Sequence, residues 1–126
     1  MTLRIILGIV LGGILGCIAT GAAVALIAGG DFAAFVTDPG KHGVSIAIAV
    51  VLPAFFLSMS MGWAILVGIV WCDVVAAVLT KFVFGGADAP WSMLLGFNLV
   101  YAVVAVLVFA ALAADPLQAR RAFRRG

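Results

Sequence analysis

The sequence predicts an all-α membrane protein, four transmembrane helices in a compact up-down bundle, and three observations carry that prediction. Of the 126 residues, 67% are hydrophobic and only 10% charged, with a mean hydropathy of +1.37; a soluble domain carries about 25% charged residues. Apolar runs recur that are long enough to cross a hydrocarbon core about 30 Å thick. The longest, from Val44 to Phe84, holds one charge before Lys81; as a single helix it would extend roughly 60 Å, so it must fold back on itself. The length leaves room for one domain, 1–126, with a short basic tail at 115–126 and no separate soluble unit.

The first span covers about residues 5–29 and ends on Gly29-Gly30-Asp31. In the long apolar block, a fold-back at Pro53 would leave its first half too short to cross. A break at "SMSMG", Ser58 to Gly62, gives workable spans of about 44–61 and 62–84, with Trp63 placed as an interfacial anchor. The fourth span, about 92–113, follows the loop "GGADAPW" and stops at Asp115-Pro116. Two short interfacial helices are expected besides. In the loop after span 1, Phe32, Phe35 and Val36 share a helical face behind Asp31 as N-cap, giving a helix near 31–37 closed by a Pro39-Gly40 turn. In the tail, Asp115 as N-cap and Pro116 at the first helical position open a helix near 116–124.

Charge orients the bundle. An even number of spans puts both termini on one side, with Arg4 and the four arginines of the tail, Arg120, Arg121, Arg124 and Arg125. Lys41, Lys81, Asp31, Asp38 and Asp88 fall on the other side. The positive-inside rule then places both termini in the cytoplasm and the protein in the cell inner (plasma) membrane. Clustered next to a span, the arginines suit anionic lipid headgroups, at about 1 kcal/mol each, or serve simply as a stop-transfer signal. They do not make a nucleic-acid surface.

Small residues mark the packing faces. Gly8, Gly12 and Gly16 form consecutive GxxxG steps in span 1, and a second ridge runs through Gly13, Cys17 and Gly21. Such residues let helix backbones approach closely where lipid supplies little hydrophobic drive. Two adjoining ridges imply two neighbouring helices, either within this chain or from a partner. Span 3 has a similar ridge, Gly68, Cys72 and Ala76. The two cysteines lie in different spans and read as packing residues.

The residue that most needs explaining is Asp73, in "GIVWCDVVAAVL". It lies about 16 Å into its span, near the midplane, where a charged residue costs about 2.5–3.5 kcal/mol on insertion scales. Its helical neighbours Ala76, Ala77 and Thr80 are small or polar, so this side should face protein. Tyr101 falls at the same depth, Asn98 a turn nearer the surface, and Pro53 in span 2 leaves the Ala49 carbonyl without its usual donor. An intramembrane polar layer of Asp73, Tyr101, Asn98 and Pro53 is therefore expected. Within it Asp73 either locks helices by hydrogen bonding or carries a proton or cation.

No catalytic set can be assembled: the single histidine, His42, lies at an interface, and Cys72 and Asp73 diverge on their helix. No enzyme activity, cofactor or metal is expected; His42 with Asp31, Asp38 and Asp88 reads as a solvated loop. In size and span count the chain is similar to the small multidrug exporters, but their pattern needs a glutamate in the first span, which here has no acid. The Asn- and Phe/Thr/Ser-rich signature of small fluoride channels is missing too. The expectation is a small protein acting through helix packing, an accessory or assembly subunit of a larger membrane complex whose partners are the bilayer and other transmembrane helices. The alternative is a minimal homo-oligomeric transporter or channel using Asp73.

The first span also contains a lipobox-like "ILGC" ending at Cys17. Residues beyond it stay apolar and Leu15 departs from the usual motif, so no cleavage is expected. Intact mass of the membrane-extracted protein should match the uncleaved chain; a mass beginning at Cys17 would remove the first span.

Overall fold

Proline, glycine and aspartate set where this chain bends. The structure, a computed structural model, describes residues 2–83 and 90–125. The expected end of span 3 at Phe84, the Gly85-Gly86 pair and Asp88 lie outside the described residues. The elements are α1 (Thr2–Ala28), α2 (Phe32–Val36), α3 (Pro39–Ala49), α4 (Leu52–Ser58), α5 (Met61–Phe82) and α6 (Trp91–Arg125). Four stretches, Leu3–Ala28, Pro39–Ser58, Met61–Phe82 and Trp91–Phe123, are long and apolar enough to cross a membrane. The chain is an all-α, multi-pass membrane bundle. Both termini and the α4–α5 turn share one face, here the terminal face; the α1–α3 connection and the start of α6 form the distal face.

α1 ends where Gly29 adopts φ +73, a conformation that costs glycine little. The reversed chain lets the Gly30 amide donate to the Val24 carbonyl at 3.3 Å. Asp31 then caps α2 through the Ala34 amide, 3.2 Å away. Asp38 does the same for α3, accepting from Gly40 at 2.9 Å. This corrects the second span's start: Pro39-Gly40 does not close a turn but opens α3, because Pro39 sits in the first turn, where its missing N–H has no partner to lose.

Pro53 bends this span without reversing it. Val50 and Val51 keep right-handed helical dihedrals, but Val50 donates to Ala47 and Ala54 to Val51, so the bonding tightens to a 3₁₀ pattern. The Ile48 carbonyl at this joint accepts from the Trp71 indole at 3.2 Å, pinning the kink to α5. The fold-back itself falls at Met59–Ser60, inside the expected "SMSMG" segment.

The fourth span departs most from expectation. α6 does not stop at Asp115-Pro116, and there is no separate helix at 116–124; one helix runs through Pro116 to Arg125. An interior proline costs about 3 kcal/mol. What offsets that cost lies on either side of it: Ala113, Ala114 and Leu117 have no exposed surface. Gln118 Nε2 donates to the carbonyls of Phe56 (2.7 Å) and Met59 (3.0 Å), groups left without helical donors where α4 ends.

α6 is the central helix, lying against α1, α5 and α4, while α3 packs on α1. The α1–α6 contact is antiparallel and glycine-lined. A Cβ added at Gly8 would meet Phe109 at 2.9 Å, at Gly12 the Ala105 carbonyl oxygen at 2.8 Å, and at Gly16 the Tyr101 ring at 2.6 Å. The second ridge faces elsewhere. Gly13 touches the Ile46 backbone of α3, and Gly21 the Phe35 ring of α2, both at 2.8 Å on the same measure. Gly68 of α5 admits Leu52 and Val106. Leu52, Phe56, Val106 and Phe109 fill the terminal half with no exposed surface, the two phenyl rings 5.2 Å apart.

Three variants test these constraints. Gly12→Ala must push α6 backbone away and should lose about 1–3 kcal/mol, whereas Gly62→Ala, with nothing within 4 Å of the new methyl, should be neutral; unfolding by SDS titration from mild detergent reads both. Gln118→Leu leaves two carbonyls unpaired and should cost about 1–3 kcal/mol, with hydrogen exchange rising in α6 beyond Pro116.

Candidate functional site

Asp73 is half-buried on α5, beside the fully or nearly buried Cys72, Ala76 and Ala77. It follows Trp71 by two positions, so at about 100° per residue the two side chains point to nearly opposite sides of the helix. Trp71 reaches α3. Asp73 is therefore on the flank of α5 turned away from α3. Its Oδ1 has no exposed surface and no hydrogen-bonding partner among the described residues. An enclosed carboxyl oxygen without a donor is a costly arrangement.

The other members of the expected polar layer do not turn toward it. Tyr101 is almost completely buried; its ring lies on the notch left by Gly16, and its hydroxyl donates across the bundle to the Ser45 carbonyl at 2.6 Å. Asn98 donates back along its own helix to Leu94 at 2.8 Å. Pro53 sits in the first turn of α4, and the kink it makes is served by Trp71. The internal hydrogen bond expected between Asp73 and Tyr101, Asn98 or the Ala49 carbonyl is thus not formed. Depth along the helices brings these residues to similar levels, but the rotation of α5 sends the carboxyl to another side.

What Tyr101 and Asn98 do line is a cavity of about 130 Å³, partly open, in the distal half of the bundle. α1 contributes Cys17 and Thr20, α3 contributes Lys41, Val44, Ser45 and Ile48, and α5 contributes Ala76, Leu79 and Thr80. Phe35 of α2 lies over it, with the Lys41 ammonium 3.9 Å from the ring centroid, a cation–π contact. Tyr101 is about 15 Å along α6 from Trp91, so the cavity reaches roughly the middle of the bundle. Beyond Tyr101 the space is filled by Leu52, Phe56, Val106 and Phe109. Asp73 is not part of the lining.

The remaining candidates fall into place by their contacts. Cys17 and Cys72 are buried and free. Asp31 and Asp38 serve as helix caps, so the segment is not a plain solvated loop. His42 belongs to α3; its Nε2 lies 2.6 Å from the Val36 carbonyl, and its buried Nδ1 is unpaired. Among the described residues no three His, Cys, Asp or Glu side chains converge on a point that could hold a metal. Arg120 is exposed and Arg121 half-buried on the extension of α6 that also carries Arg124 and Arg125. Trp63 is exposed at the start of α5, as an interfacial anchor would be.

Lys41 and Ser45 were not singled out by their sequence, because the segment before Val44 reads as loop until Asp38-Pro39 is recognised as a helix start. The usable signal was a hydroxyl or amide residue in the distal half of every span: Thr20, Ser45, Thr80 and Asn98. No known protein family, curated protein or solved structure matches this chain.

Proposed function

We propose that this protein acts through helix packing, as an accessory or assembly subunit of a larger complex in the inner membrane, with both termini cytoplasmic. The observation that carries the reading is Asp73: an enclosed carboxyl oxygen, on the flank away from α3, with no donor among the described residues. A neighbouring transmembrane helix that brings a donor to this point removes the cost of leaving it unpaired. The orientation is supported by the arginines gathered on the terminal face. The same carboxyl favours one second reading, a homo-oligomeric transporter or channel in which Asp73 binds a proton or cation between copies. The filled terminal half of the bundle speaks against a path through a single chain.

Crosslinking and native mass spectrometry from mild detergent separate these readings. The accessory role expects a heteromeric assembly that survives Asp73→Asn, since the amide keeps an acceptor, and that Asp73→Leu weakens by about 1–2 kcal/mol, the usual worth of an interhelical hydrogen bond in lipid. The transport role expects homo-oligomers in which Asp73→Asn abolishes cation flux in proteoliposomes while assembly persists. A wild-type protein that is monomeric throughout contradicts both.

A further inference from the structure

The distal cavity has a chemical polarity that selects its occupant. Every hydroxyl on its wall directs its proton to a helix carbonyl: Thr20 to Gly16 (3.0 Å), Ser45 to Lys41 (2.8 Å), Thr80 to Ala76 (2.8 Å) and Tyr101 to Ser45 (2.6 Å). Asn98 likewise spends an N–H on Leu94, leaving its carbonyl oxygen as acceptor. A hydroxyl has one proton and two lone pairs, so the wall presents oxygen lone pairs from four different helices and few free donors. Such a wall repels a simple anion and attracts N–H groups. None of the described lining residues is acidic.

The mouth has the opposite character. Lys41 lies one helical turn, about 6 Å, above Ser45, and among the described residues its ammonium holds to the Phe35 ring and to no carboxylate. A bare cation entering the cavity would meet this charge. A ligand with an ammonium for the inner wall and, a short tether away, an anionic group for Lys41 satisfies both ends. The volume suits several waters or a small headgroup. α3 and α5 meet only sparingly, so the side of the bundle between them is the least obstructed approach.

We propose that this cavity is a binding site for a phosphoethanolamine group, its ammonium among Thr20, Ser45, Thr80 and Asn98 and its phosphate at Lys41. The group reaches the site either as the headgroup of a membrane lipid or as a free soluble compound. The site is independent of the role given to Asp73.

Native mass spectrometry of the purified full chain, from nanodiscs of equal phosphatidylethanolamine and phosphatidylcholine, tests this directly, because the trimethylated headgroup has no N–H to offer. The expected result is at least a tenfold preference for phosphatidylethanolamine, reduced several-fold by Lys41→Gln and by Thr80→Val. A soluble source would instead show as saturable binding of free phosphoethanolamine to protein in phosphatidylcholine nanodiscs, with the same sensitivity to both variants. Equal retention of the two lipids together with no binding of free phosphoethanolamine overturns the proposal. So does a preference that Lys41→Gln leaves unchanged; that substitution is at the half-buried mouth and decides the matter alone if Thr80→Val does not fold.

Discussion

The closest approach in this molecule, that of α1 to α6, determines most of the rest. In lipid, two apolar helices gain little from hiding surface, so they associate by van der Waals contact and by the hydrogen bonds that close contact allows. Glycines at Gly8, Gly12 and Gly16 bring α1 directly onto the backbone and rings of α6. That contact fixes the position of Tyr101 over Gly16, which carries its hydroxyl to α3. α3 in turn is held to α1 at Gly13 and Ile46. The bundle is thus assembled around one notched helix, with bulk supplied by the opposing side.

The two halves are built differently. Toward the terminal face, Leu52, Phe56, Val106 and Phe109 are fully buried in one apolar cluster, and Gln118 ties α6 to the turn after α4. Toward the distal face the helices carry small polar residues, Thr20, Ser45, Thr80 and Asn98, around a space. The polar residues there are individually satisfied by their own helices, as serine and threonine in membrane helices often are, so the cavity costs little to maintain. Asp73 belongs to neither half. Its Oδ1, unpaired among the described residues, is on the flank of α5 and outside the lining of the cavity.

The spans were legible because apolar length is a strong signal: with no water in the bilayer, a chain of this composition has few alternatives to helices. Helix boundaries at proline were less so. Asp38-Pro39 and Asp115-Pro116 are the same local pattern, yet the first starts a helix and the second lies within one. The difference comes from the burial of Leu117 and from Gln118, whose partners Phe56 and Met59 are far away in sequence. Rotation about the helix axis was the other obstacle. Periodicity showed that Asp73 shares a side with Ala76 and Ala77, but whether Tyr101 lay on that side depended on how α1 and α3 drew its ring across the bundle.

The unbroken course of α6 has a mechanical implication. Its 35 residues span about 52 Å, well beyond the roughly 30 Å of a hydrocarbon core. The arginines are therefore on the same continuous helix as the bundle's central span, beyond Pro116, and not on a separate segment. Asn98 and Tyr101 are on the same rod at its other end. A displacement of the arginine-bearing end is therefore passed along one continuous helix, with Pro116 as its point of weakest bonding, to the wall of the space on the opposite face.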